Sequence, residues 1–109
     1  MSSEVPSVTV SEVGDDACFL DVREPDEWAA GHIPGAIHLP MSQLLDRLHE
    51  IPSDQHVVAV CRVGARSAQA TAYLAQQRIS IKNLVGGMQA WQAAGRPMVS
   101  ESGEAPQVI

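Results

Sequence analysis

Aromatic residues make up only 4% of this chain, one Phe, one Tyr and two Trp. A core built on large rings is excluded, so packing falls to aliphatic side chains. Two cysteines, Cys18 and Cys61, leave no disulfide framework. Neither belongs to a Cys-x-x-Cys pair, which removes a thioredoxin-like redox site and a zinc ribbon. The four histidines, at 32, 38, 49 and 56, lack metal-ligand spacing, so no metal and no cofactor is expected. No stretch approaches the ~18 apolar residues of a membrane span. Met1-Ser2-Ser3-Glu4 shows neither a basic start nor an apolar run, so no signal peptide is visible and the expected compartment is the cytoplasm. Basic residues number 7 against 13 acidic, a formal net charge of −6. That balance argues against nucleic acid and anionic membranes as partners, since both call for broad basic surfaces.

What remains is a chain of 109 residues, the size of one domain. Short apolar runs alternate with helical patterns. Strands are expected at Val8–Val10, Cys18–Val22, Ala36–Leu39, His56–Val60 and Lys82–Val85. Helices are expected from Asp26 to Ala30, from Ser42 to Glu50 with Leu44, Leu45 and Leu48 on one face, from Ser67 to Gln77, and from Gly87 to Ala94. In the third of these, Ala68, Ala72 and Ala75 are expected to pack on a sheet. Such alternation predicts an α/β fold with a mostly parallel sheet, and His56–Val60, a continuous apolar run after its first residue, suits its buried centre. Residues 1–7 read as an N-terminal extension, 8–97 as the domain, and 98–109, which lack periodicity, as a mobile C-terminal tail.

The most informative stretch follows the central strand. Cys61-Arg62-Val63-Gly64-Ala65-Arg66-Ser67 leads from that strand through a short loop into an alanine-rich helix. Ligands of open α/β sheets bind at the carboxyl ends of strands, which is where Cys61 falls. A helix start leaves N–H groups unpaired and carries about half a positive charge. Gly64 permits a tight loop whose amides turn inward as an anion-binding nest. Arg62 and Arg66 are permanently charged forks suited to oxyanions. Ser67 can cap the helix or donate its hydroxyl to a bound anion. A free thiol titrates near 8.5, whereas such surroundings give values of about 3.5–7.5. A drop of roughly two units corresponds to about 2.7 kcal/mol and makes the thiolate the majority species at neutral pH. Cys61 is therefore the expected nucleophile. Cys18 reads instead as a packing residue at the start of a strand, with a resolving role as the alternative.

The loop resembles the active-site loop of the rhodanese family, sulfurtransferases that carry sulfur as a cysteine persulfide. Two further motifs support the resemblance. Leu20-Asp21-Val22-Arg23-Glu24-Pro25, Glu27-Trp28 and Gly31-His32-Ile33-Pro34-Gly35-Ala36 are similar to the family's N-terminal signature. Gly86-Gly87-Met88-Gln89-Ala90-Trp91, followed by Gly95-Arg96-Pro97, is similar to its C-terminal one. The similarity runs from about Val8 to Pro97. It implies a single-domain rhodanese-like fold, a central five-stranded sheet with helices on both faces. It also implies an enzyme in which Cys61 takes sulfur from a small anionic donor such as thiosulfate. The loop residues 62–67 would bind that donor, and cyanide, a thiol or a sulfur-accepting protein would receive the sulfur. Four residues separate Cys61 from Arg66. The family's phosphatase and arsenate-reductase relatives have one more, which widens the cradle for a tetrahedral oxyanion. The shorter loop is similar to the sulfur-transferring branch. A carrier or regulatory module handing persulfide to a partner is the alternative from another class.

Four other sites carry expectations. The resemblance makes the strand of Asp21 a neighbour of the Cys61 strand, so Asp21 is expected either to pair with Arg62 or a loop amide, supporting the loop, or to stand in solvent. Arg23, Glu27 and His32 read as a structural polar cluster, and a thiolate formed by dipoles and cations needs no histidine base. Trp28 and Trp91 read as packing residues. Gly86-Gly87 reads as a tight strand-to-helix turn beside the loop, with Met88 at the entrance. The chain departs from the family at Gln76-Gln77-Arg78-Ile79, where members often carry a glycine.

Overall fold

The computed structural model describes residues 5–109, so the first four residues, read for a leader, lie outside it. Five strands form one sheet: β1 (Ser7–Val8), β2 (Cys18–Asp21), β3 (Ile37–His38), β4 (Val57–Val60) and β5 (Ile81–Leu84). Their order is β1-β5-β4-β2-β3, and every pairing is parallel. The expected α/β architecture is present, with a fully parallel sheet. Pairing begins before the expected boundary at residue 8, since Pro6 already accepts the amide of Asn83.

Alternation along β4 divides the core. Val57, Ala59 and Cys61 face one cluster with Leu20, Ala70, Leu74 and Ile81, while Val58 and Val60 face another with Phe19, Leu84, Met88 and Trp91. Helix α2 (Ala65–Gln76) covers the first face and α3 (Gly87–Ala93) contributes Met88 and Trp91 to the second. The buried face of α2 is Ser67, Ala70, Thr71 and Leu74; of the expected Ala68, Ala72 and Ala75, only Ala75 packs, half-buried, against the first cluster. Leu74 supplies the apolar bulk, and the alanine spacing marked a neighbouring stripe, of which Ala72 is exposed.

The expected helix at 42–50 is two 3₁₀ segments, Met41–Gln43 and Leu45–Glu50, with a non-helical Arg47 inside the second. Leu44 is buried and Leu48 half-buried, whereas Leu45 is 65% exposed. Three leucines within five positions suit either helix period, so their spacing did not distinguish the tighter winding.

Segment 98–109, expected to be a mobile tail, makes backbone bonds to the end of helix α1 (Pro25–Ala30). Val99 and His32 exchange both amide bonds at 2.9 Å. Glu101 and Gln107 donate amides to the carbonyls of Ala29 and Ala30, each at 2.9 Å. Those carbonyls close α1 and have no partner within it. Gly31 allows the approach, because a methyl there would lie 2.7 Å from Met98 Cε and 2.8 Å from the Gln107 amide nitrogen.

The departure at Gln76–Ile79 has a structural expression. Arg78 adopts φ 65°, the one positive φ among the described non-glycine residues. The Arg78 amide bonds to Ala75 and the Ile79 amide to Leu74, the pair of bonds that closes a helix through a left-handed residue. A side chain at such a position costs roughly 1–2 kcal/mol. Arg78→Gly is therefore expected to raise stability by up to about 1 kcal/mol, the remainder being lost to the freer unfolded chain. Urea unfolding of the two proteins checks this, and a less stable glycine variant contradicts it.

Candidate active site

β4 ends at Val60, and Cys61 begins the turn that carries the chain into α2. The cysteine is fully buried. Gly64 stands at φ 105°, which only glycine adopts readily, and there it directs its amide to Cys61 Sγ at 3.1 Å. The Ser67 hydroxyl, one turn into α2, lies 3.3 Å from the same sulfur.

The loop's carbonyls are tied elsewhere. Met88 and Gln89, at the start of α3, donate amides to the carbonyls of Cys61 (2.8 Å) and Arg62 (3.0 Å). The Gly64 carbonyl accepts from the Ala68 amide at 3.1 Å and from Asn83 Nδ2 at 3.2 Å. With its oxygens engaged by neighbouring elements, the loop leaves amide hydrogens for the sulfur. Burial alone pushes the Cys61 thiol up. The Ser67 hydroxyl and the amides of Ser67, Gly64 and Val63 together outweigh that and hold it below the ordinary thiol value. Cys18, by contrast, is pushed up by burial and then by the Asp54 charge. It pairs with Val57 at the far end of the ladder, four residues before Cys61. At about 3.3 Å per residue that is roughly 13 Å. A disulfide needs Cα atoms within about 7 Å, so the resolving alternative for Cys18 fails on distance.

Gly87 shows how closely α3 approaches. It has φ 55°, and a methyl there would meet the carbonyl of Cys61 and lie 2.8 Å from the carbonyl carbon and oxygen of Arg62. The glycine pair is thus the expected turn beside the loop. Met88, however, is fully buried in the second core cluster and does not line an entrance.

The two arginines differ. Arg62 is exposed and makes no ion pair among the described residues. Arg66 is engaged: its two terminal nitrogens meet Glu27 Oε1 at 2.7 Å and Oε2 at 2.8 Å. Arg66 is therefore not the free anion-binding fork expected of it. Glu27 also belongs to the site rather than to the expected cluster with Arg23 and His32. It completes a capping box with Glu24 at the start of α1, so one carboxylate orders that helix and holds Arg66. The Arg66 bond, the largest influence, holds the Glu27 carboxyl below its usual value. A carboxyl lowered on folding contributes stability above its unfolded pKa and loses it as pH falls through the folded one. Glu27→Gln is accordingly expected to remove a pH-dependent contribution that fades below about pH 4.5. Arg66 is partly exposed, so solvent screening limits the effect near neutrality to about 1 kcal/mol. Melting curves from acid to neutral pH check this; parallel losses for both proteins on acidification contradict it.

Asp21 supports something other than the loop. Its carboxylate is buried and takes a forked ion pair from Arg23, with Nη2 at 2.7 Å and Nε at 2.9 Å. Arg23 Nη2 also donates to the Gly31 carbonyl at 2.8 Å. The fork, two residues away, outcompetes the expected partners Arg62 and the loop amides, and the pair ties β2 to the end of α1. His32 Nδ1–H donates to the Trp28 carbonyl (2.8 Å), and the hydrogen bonds to Cys61 Sγ come from Gly64 and Ser67 instead. Trp28 packs between the His32 and His38 rings, centroids 3.5 Å and 4.6 Å away. Trp91 packs edge-on to Phe19 at 5.1 Å, with Arg96 over its face at 4.1 Å.

Sequence reasoning missed Asn83. Buried on β5, it touches two loop residues, accepting from the Ser67 hydroxyl at 2.5 Å and bonding the Gly64 carbonyl. An asparagine at an inward register of β5, between the exposed Lys82 and the buried Leu84, was the only available signal. Among the described residues there is no group of metal-binding side chains and no helix long and apolar enough to cross a membrane.

Comparison with known proteins bears on this geometry. The family model described as the rhodanese-like domain matches residues 9–94. A protein named sulfurtransferase from Allochromatium vinosum is 44% identical over 107 residues, covering 94% of this chain and all of that one. The thiosulfate sulfurtransferase GlpE of Pseudoalteromonas translucida is 35% identical over 81 residues, covering 73% of this chain and 77% of that one. The crystal structure of a rhodanese-related protein from Thermoplasma volcanium superposes with a TM-score of 0.82 at 32% identity, covering 86% of this chain and 97% of that one.

Proposed function

The chain belongs to the rhodanese family, and from that premise we propose that it transfers sulfane sulfur from thiosulfate, or a donor of the same anionic class, through a persulfide on Cys61. The observation that carries this reading is the Cys61 sulfur held by an inward amide and a hydroxyl, with the surrounding carbonyls tied away.

The thiolate attacks the outer sulfur of the donor. A sulfur–sulfur bond forms to Cys61, the donor's own sulfur–sulfur bond breaks, and sulfite leaves with the electron pair. The terminal persulfide sulfur carries the negative charge, which the preorganised donors of residues 62–67 offset. Cyanide or a thiol, including one on a protein acceptor, then attacks that sulfur, and the bonding pair returns to Cys61 as thiolate. Two half-reactions on one residue give ping-pong kinetics. Arg62 orients the donor's oxyanion end. Arg66, engaged by Glu27, shapes the loop's flank.

The test uses intact mass and turnover. Incubation with thiosulfate is expected to add one sulfur atom, and cyanide to remove it with release of thiocyanate. An unchanged mass sinks the proposal. Turnover of an aryl phosphate in place of thiosulfate would favour the oxyanion-hydrolysing branch that the short loop argues against.

A further inference from the structure

Ser67 Oγ stands 2.5 Å from Asn83 Oδ1 and 3.3 Å from Cys61 Sγ. A hydroxyl owns one hydrogen and can donate it to one of these at a time. The orientation of the Asn83 amide settles which group donates. Its Nδ2 faces the Gly64 carbonyl, which can only accept. Oδ1 therefore faces Ser67, and having no hydrogen of its own, it too can only accept. Ser67 and Asn83 are both buried, and no water is needed to account for any of these bonds.

We propose that Asn83 is a positioning residue that competes with Cys61 for the single Ser67 hydroxyl proton, taking it while the sulfur is neutral and yielding it while the sulfur is an anion. A neutral thiol or bridging sulfur is a weak acceptor, so the amide oxygen prevails. A thiolate is a charged acceptor, and bonds to charged acceptors are roughly twice as strong, so the hydroxyl rotates to it. This deepens the sulfurtransferase reading and rests on it in one respect. During turnover the negative charge moves from Sγ to the terminal persulfide sulfur and back. The hydroxyl follows, supporting Sγ only in the unloaded state. Asn83 thereby weakens the hydroxyl's hold on the free thiolate, keeping it basic enough to attack.

The charged group bearing on the sulfur is Arg66 of α2, itself paired with Glu27 of α1. From α3 the packing against the loop comes from Gly87 and Met88, which do not titrate. None of these changes when Asn83 is replaced.

The experiment titrates the Cys61 thiolate by its ultraviolet absorbance in a Cys18→Ala background, which leaves one thiol. Asn83→Leu keeps the number and branching of the side-chain heavy atoms and removes the acceptor, together with the Nδ2 donor to the Gly64 carbonyl. Freed from competition, the hydroxyl is expected to shift the titration downward by about half a unit, roughly a threefold gain in thiolate on the acid side. In a Ser67→Ala background the same replacement is expected to shift nothing, because its effect passes through the hydroxyl. An upward shift, no shift with Ser67 present, or equal shifts with and without Ser67 would overturn the proposal, since a merely loosened loop acts irrespective of Ser67. Circular dichroism checks the fold. Should Asn83→Leu not fold, Asn83→Asp keeps the shape and accepts more strongly. It is expected to move the titration upward, and by less once Ser67 is alanine; equal movement in both backgrounds overturns the proposal. Absorbance needs no sulfur donor, so failure here is separable from failure of sulfur transfer, which the mass measurement reads.

Discussion

Cys61→Ser is expected to lower sulfur transfer by about a thousandfold or more, an increase of roughly 4 kcal/mol in the barrier, with little loss of stability. A serine oxygen fits among the same donors, at the Gly64 amide and beside Ser67. The cradle, however, works by lowering the pKa of an acid already within reach of neutrality. A hydroxyl starts far above that range and needs a general base, and the nearest histidine of the signature, His32, is bonded to the Trp28 carbonyl instead. Initial rates of thiocyanate formation for the two proteins check the prediction. Retention of a tenth of the activity would mean that the nucleophile lies elsewhere.

The second large effect concerns folding. Arg23→Leu is expected to destabilise the protein by about 3–5 kcal/mol, because it leaves the buried Asp21 carboxylate without its partner. Domains of this size are typically stable by only 5–15 kcal/mol, so the melting temperature should fall by on the order of 15 °C or more. The cost is that of an isolated charge, not of the lost pair. Adding Asp21→Asn to Arg23→Leu should therefore recover more than half of the loss. Thermal unfolding of the single and double variants decides this. A double variant no more stable than the single one would place the damage at the Gly31 carbonyl, which Arg23 also satisfies.

Much of the site was legible because its components are consecutive. Val57-Val58-Ala59-Val60, largely β-branched and apolar, suits a buried parallel strand, and Cys61 through Ser67 carry sulfur, glycine and helix start in one run. The residues that complete the site come from far along the chain. Glu27 is 39 positions from Arg66, and Asn83 is 16 from Ser67. Neither distance leaves a periodic trace. Asp21 was placed at the right edge of the sheet but with the wrong partner, because a fork two residues away competes better than a loop across a strand. The segment after Pro97 escaped notice for another reason. Its backbone amides meet the end of α1, and backbone bonds leave no mark on the order of side chains.

Arg62, Val63 and Ala65 all point their side chains outward from the loop that encloses the sulfur. The donors around the sulfur and the surface that greets an incoming molecule are thus encoded separately, the first mostly in main-chain geometry and the second in three exposed side chains. A library randomised at 63 and 65 should explore new donors and acceptors while keeping both Arg62 and the proposed nucleophile.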